Sequence, residues 1–139
     1  MYVLDTNVVS ELRKAGAGRA DANVVDWASK VATGTLYISA ITLLELELGI
    51  LSLERRDQAQ AAILRGWMRG HVLPAFVGRV LPVDSAVALQ CAQLHIPNRR
   101  SERDAMIAAT AHVHGMTVVT RNVADFHGTG VPLVNPWEP

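Results

Sequence analysis

Residues 1–14 read MYVLDTNVVSELRK. Tyr2-Val3-Leu4 is a short apolar run that stops at Asp5, and Asn7 to Lys14 reads as one or two turns of helix. An apolar run this short and this continuous is what a strand buried on both faces requires. The pattern returns along the chain. Leu36-Tyr37-Ile38, Val80-Leu81-Pro82-Val83, Thr117 to Thr120 and Leu133-Val134 read as further strands, with Pro82 marking an edge or terminal position. Between them, Asn23–Val31, Ile41–Leu53, Asp84–His95 and Glu102–His114 read as helices, the last closed by Gly115. Asp57–Val77 reads as one long helix weakened around Gly70 and Pro74. Strands alternating with helices predict an α/β domain with a parallel sheet covered on both faces. Ligands in such sheets bind outside the carboxyl ends of the strands.

Composition supports this reading and narrows the function. The chain has 139 residues, half of them hydrophobic and 19% charged, which excludes a disordered polymer. The length predicts a single domain over 1–139 with about two-thirds of its surface buried. Lys plus Arg and Asp plus Glu are both 13, so the formal net charge is zero. That balance argues against a general polyanion binder but permits local clusters of either sign. Eleven of the 13 bases are Arg, whose forked donors match phosphate. Cys91 is the only cysteine, so no disulfide forms within the chain and a reducing, cytoplasmic compartment is expected. The first residues do not form a signal peptide, and no apolar run is long enough to span a membrane.

Four acids fall at the predicted carboxyl edge of the sheet. Asp5 ends the first strand, Glu45 is expected in the first turn of the helix after the second, and Asp104 is expected in the first turn of a later helix. Asp125 follows the strand that ends at Thr120. Carboxylates brought into one cleft repel one another, and a divalent cation relieves that repulsion. Mg²⁺ or Mn²⁺ takes such hard oxygen ligands and, alone or in pairs, can activate water in phosphodiester hydrolysis. Local chemistry offers alternatives. Thr42-x-x-Glu45 and Ser101-x-x-Asp104 match helix capping boxes, Asp5 and Asp84 suit N-caps, and Asp125 suits a turn around Phe126. Thr6, Asn7, Thr120 and Asn122 are small polar residues at the same edge, suited to positioning water or the carboxylates. Glu11, Glu47 and Glu102 read as solvated surface groups.

The stretches LDTNVVSEL (4–12), SAITLLELELGI (39–50), RDAMIAATA (103–111), TVVTRNVADF (117–126) and NPW (135–137) together resemble the PIN-domain family, above all its VapC/FitB-like toxins of type II toxin–antitoxin modules. The resemblance covers nearly the whole chain in order. It implies a three-layer α/β/α fold with a parallel sheet of four or five strands, and Mg²⁺- or Mn²⁺-dependent ribonuclease activity. It implies Asp5, Glu45 and Asp104 as catalytic and metal-binding acids. For the fourth acid some relatives use the position of Asn122 and others that of Asp125; Asp125 is expected here, with Asn122 as a helper. It further implies a small VapB-like antitoxin as partner, RNA as substrate and a homodimer.

The remaining signals are secondary. Arg99, Arg100 and Arg103 flank Asp104 and are candidates for RNA phosphate contacts, while Arg55, Arg56, Arg65 and Arg69 lie on or beside one helix. Leu43, Leu44, Leu46, Leu48, Ile50 and Leu51 make the helix around Glu45 apolar on most sides, which suggests a dimer or antitoxin surface shared with the 59–67 region. The five histidines show no zinc spacing, and no phosphate-binding glycine loop is present. An acid-cluster phosphatase would need an Asp-x-Asp start, but the chain has Asp5-Thr6-Asn7, and two other functions are weighed. A catalytically weak module would act only by binding antitoxin or RNA. A receiver-type signalling domain would need a late Lys, yet the only lysines are Lys14 and Lys30.

Overall fold

In the computed structural model, which describes residues 1–139, each of the apolar runs becomes a strand of one sheet. The strands are β1 (Tyr2–Leu4), β2 (Leu36–Ser39), β3 (Val80–Leu81), β4 (Thr117–Val119) and β5 (Leu133–Val134). Their order is β3-β2-β1-β4-β5, and every neighbouring pair is parallel. Of the four or five strands expected, five are present. β3 is an edge strand and ends before Pro82, whose missing N–H cannot serve a ladder. β1 lies at the centre, so its carboxyl end is flanked by those of β2 and β4.

Alternation along the strands divides the core in two. Leu4 and Val119 face a cluster with Val8, Val9, Leu46, Ile50, Met68 and Val72, while Val3 and Val118 face a second with Ile107, Ala108, Ala111 and Phe126. The first layer is built from α1 (Thr6–Arg13), α2 (Ala22–Lys30), α3 (Ala40–Glu54) and α4 (Gln58–Trp67). The opposite layer is α7 (Glu102–His114), with α6 (Ser85–Leu94) packed on its outer side. Helix α7 is therefore buried on two faces. Ala108 and Ala111 meet the sheet, Ala105 and Ala109 meet α6 through Val87 and Cys91, and their small side chains allow both neighbours to approach closely. Gly115 adopts the left-handed conformation (φ 65°) that ends α7.

Two expectations are corrected, and a third is refined. Helix α3 starts at Ala40, directly after β2, because Ser39 caps it by accepting the Ile41 N–H (3.0 Å). Thr42 and Glu45 therefore lie inside the helix, and their capping box does not form. At α7, Ser101 holds the cap position without a side-chain cap bond, whereas Asp84 caps α6 by accepting from Val87 (3.0 Å). The 57–77 helix is not uniform. After α4 the backbone widens into a π turn over Met68–Val72 and continues into the short α5 (Leu73–Ala75). Pro74 supplies no N–H to the carbonyl four residues back, at Gly70, and its ring would collide with it; the wider turn accommodates both effects.

Candidate functional site

Parallel register sets the geometry of the site. Leu4 pairs with Val119, so the next residues on each strand, Asp5 and Thr120, emerge side by side at the carboxyl edge. The Asp5 N–H still donates to Val119 (2.8 Å), which anchors the backbone where the strand ends. The Asp5 carboxylate is 6% exposed and fully engaged. Oδ1 accepts the Thr6 N–H (2.8 Å), which makes Asp5 the N-cap of α1. Oδ2 accepts the buried Thr120 hydroxyl (2.8 Å) and, at longer range, Asn7 Nδ2 (3.4 Å). The Thr120 oxygen in turn accepts the Asn122 N–H (3.0 Å).

Glu45 enters from α3, one turn deeper than expected. Its Oε1 accepts the Thr6 hydroxyl (2.7 Å) and its Oε2 lies 3.7 Å from Arg103 Nη1. The Thr6 hydroxyl has one proton, which Glu45 takes, so the buried Thr42 hydroxyl 3.1 Å away must donate to Thr6. A chain of two threonines thus orients Glu45.

Asp5, Glu45 and Asp104 line one polar cleft together with Thr6, Asn7 and Asn122. Asp125 lies outside that lining, on the turn Val123–Phe126, where its own N–H bonds Asn122. It is near enough to act electrostatically. Burial pushes the Asp5 carboxyl above its usual range; the Thr120 and Thr6 donors oppose this, and the charges of Glu45 and Asp125 add to it. Asp104 is raised further, to about 6, by burial and then by Asp5, Asp125 and Glu45, against a hydrogen bond from Ser101. The four acids therefore form one repelling group, although no three of them stand at direct metal-ligand spacing.

The arginines expected to meet RNA occupy different settings. Arg103 stands beside Glu45, and Arg99 is 82% exposed and 3.6 Å from Glu102. Arg100 is committed to the fold. Its Nε donates to the Leu94 carbonyl (3.0 Å), its N–H donates to His95 Nδ1 (3.1 Å), and its guanidinium rests against Gly128. That glycine has φ +79°, and a Cβ there would meet Arg100 at 2.7 Å.

Other residues reach the cleft that sequence reasoning left aside. Glu11 is not a solvated group: it lines the cleft and accepts from Lys14 Nζ (2.9 Å) and the Asp21 N–H (2.8 Å), which hold its carboxyl below the usual range. Lys14, Arg121 and Trp137 line the same cleft. Trp137 belongs to the quoted NPW stretch, the one signal that pointed to it. Glu47 is not free either, since it pairs with Arg65.

The PIN domain family pattern matches residues 2–127. The chain is similar along its whole length to the VapC ribonuclease Y4jK of Sinorhizobium fredii, at 41% identity over 144 aligned positions that cover 100% of this chain and 99% of that protein. It is 35% identical to the toxin FitB of Neisseria gonorrhoeae, with 99% of each chain covered. The crystal structure of FitAcB from Neisseria gonorrhoeae superposes with a TM-score of 0.88 at 35% identity, covering 100% of both chains.

Proposed function

The chain belongs to the PIN-domain family, and from that premise we propose that it is a metal-dependent endoribonuclease toxin of a type II toxin–antitoxin module, inhibited by a cognate small VapB-like antitoxin. The observation that carries this reading is the cleft: Asp5, Glu45 and Asp104 come from three separate elements and meet in one polar recess at the carboxyl edge of the sheet.

The donor set fits a divalent cation. It consists of carboxylate oxygens, the ligands that suit Mg²⁺ or Mn²⁺; burial, with a further contribution from mutual repulsion, raises Asp5 and Asp104, and a bound cation would relieve that repulsion. Mg²⁺ is commonly held by one or two carboxylates with water completing its shell. Asp5 and Asp104 would be the main ligands, with Glu45 direct or through water and Asp125 acting at longer range. When bound, the cation supplies water activation and charge neutralisation at the phosphate.

The chain's own residues provide the fixed frame. Thr120 and the Thr6 N–H lock Asp5 in one rotamer, and the Thr42–Thr6 relay locks Glu45. Arg99 and Arg103 would approach the RNA backbone, while Arg100 ties down the loop that carries Arg99 and leads into α7. A single-stranded substrate leaves its backbone accessible to the cleft. The exposed faces of Leu44 (48%), Leu48 (44%) and Leu51 (46%) form one stripe on α3 and supply a homodimer surface. No helix is long and apolar enough to cross a membrane, and a cytoplasmic site of action is part of the same reading.

The test is cleavage of total RNA by protein purified free of antitoxin, in Mg²⁺, Mn²⁺ or EDTA. Folded Asp5→Asn is expected to lose EDTA-sensitive cleavage, and undiminished cleavage by it would sink the assignment. A second reading, a catalytically weak module that only binds antitoxin or RNA, draws on Asn122 lining the cleft while Asp125 stands outside it. Binding without cleavage by the wild type would favour it.

A further inference from the structure

We propose that Arg121 is a substrate-phosphate ligand at the mouth of the acidic cleft and that Trp137 is the positioning residue that holds it there; the inference rests on the ribonuclease reading and adds a binding arm to it. Both residues line the cleft of about 480 Å³ that contains Asp5, Glu45 and Asp104.

The guanidinium of Arg121 lies over the Trp137 ring, with Cζ 5.3 Å from the ring centroid. It forms no ion pair and no side-chain hydrogen bond, so all of its N–H donors are uncommitted. That sets it apart from the other arginines near the site. Arg103 faces Glu45, Arg99 faces Glu102 and Arg100 donates to a carbonyl. The second base of the cleft, Lys14, is held by Glu11.

The platform under Arg121 is anchored independently of it. Trp137 packs against the core cluster on the α1 side, its N–H donates to Asn135 Oδ1 (3.0 Å), and its carbonyl accepts from Asn23 Nδ2 at the start of α2 (2.8 Å). The Arg121 backbone is fixed as well, since its N–H donates to Asn7 Oδ1 (3.4 Å), beside Asp5. With backbone and guanidinium both restrained, the fork is preorganised and loses little freedom when it closes on a phosphate. Arg121 shares the cleft lining with Asp5, Glu45 and Asp104, and its charge helps to hold the Glu11 carboxyl low, after Lys14 and the Asp21 N–H. A phosphodiester arriving at that mouth needs free N–H donors on a cation, and Arg121, the base of the cleft without an ion pair, supplies them. The occupant is a phosphate of single-stranded RNA next to the scissile position.

The experiment compares wild type, Arg121→Ala, Arg121→Lys, Trp137→Phe and Trp137→Ala. Steady-state cleavage in Mg²⁺ is measured alongside anisotropy of a short fluorescein-labelled single-stranded RNA, also in Mg²⁺, with Glu45→Gln added to each protein in the binding assay to stop cleavage. Arg121→Ala is expected to raise KM and weaken RNA binding about tenfold with kcat nearly unchanged, and to lower the salt slope of binding by roughly 0.7. Arg121→Lys keeps the charge but not the fork and should recover part of the loss. Trp137→Ala should weaken binding about threefold, and Trp137→Phe, which keeps a ring and the packing, should restore it. Trp137→Ala added to Arg121→Ala should cost nothing more, because the ring acts through the guanidinium. If Trp137→Ala unfolds, Arg121→Ala and Trp137→Phe still decide the matter. Wild-type cleavage together with unchanged KM, RNA affinity and salt slope in Arg121→Ala would overturn this inference and leave the ribonuclease reading standing. A wild type that neither cleaves nor binds RNA would overturn both.

Discussion

Replacing Asp104 by Asn should stabilise the metal-free fold while abolishing its activity. The Asp104 carboxyl titrates near 6 in the folded protein against an ordinary 3.8, chiefly through burial and the charges of Asp5, Asp125 and Glu45. A raised folded-state value means that the unfolded chain loses its proton first. The stabilising contribution of the proton is complete below about 3.8 and is lost as pH rises through about 6. Above pH 7 the full gap corresponds to about 3 kcal/mol, and solvent screening of this part-exposed group reduces it to about 1.5 kcal/mol. Asn carries no charge and escapes that cost. For a chain of this length the gain corresponds to about 5 °C in Tm. Thermal unfolding followed by circular dichroism in EDTA at pH 8, 6 and 5 provides the assay. The difference between variant and wild type should be largest at pH 8 and shrink as the pH falls. Added Mg²⁺ should then raise the wild-type Tm more than that of the variant. An Asn variant no more stable than wild type at pH 8, or a gain independent of pH, would refute the electrostatic account of the cleft.

Other substitutions test other parts of the frame. Thr120→Val removes the buried hydroxyl from Asp5 Oδ2 and should cost about 2 kcal/mol in urea unfolding, whereas Thr120→Ser should restore most of it. Ser39→Ala deletes the α3 cap and should cost about 1 kcal/mol by the same measurement. Leu48→Glu places a charge in the exposed α3 stripe; sedimentation should show the proposed dimer weakened at micromolar concentration with the fold retained, and a dimer unchanged by the substitution would move the interface elsewhere.

Much of this architecture is written in local patterns. Strands buried on both faces have to be short apolar runs, and each such run here became a strand. Asp5 stood out because a carboxylate that closes such a run has few neutral partners. Glu45 was placed one turn too early because Thr42-x-x-Glu45 imitates a cap, whereas the actual cap is the last residue of β2 and no loop separates strand from helix. Glu11 and the place of Trp137 in the cleft are opaque for a different reason. The partners of Glu11 include a backbone N–H ten residues away, and Trp137 reaches the cleft through a tether to Asn23, 114 residues distant. Spacing on one helix or strand carries no trace of such contacts.

The balance of 13 acids against 13 bases hides how unevenly those charges are committed. Most bases near the site are already paired: Lys14 with Glu11, Arg103 with Glu45, Arg99 with Glu102. Their partners include Glu45, an acid of the cleft, so pairing dilutes the negative field without abolishing it. Asp5 and Asp104 stay raised through burial first and then the charges of the neighbouring acids. A recess in this condition repels a phosphodiester and attracts a divalent ion, so the ion should bind first and the nucleic acid second. Apparent RNA affinity should therefore rise with Mg²⁺ concentration up to saturation of the cleft, although Mg²⁺ screens every other protein–phosphate contact. A monotonic fall in RNA anisotropy across a Mg²⁺ titration of the cleavage-impaired Glu45→Gln protein would show that the carboxylates do not gate the substrate.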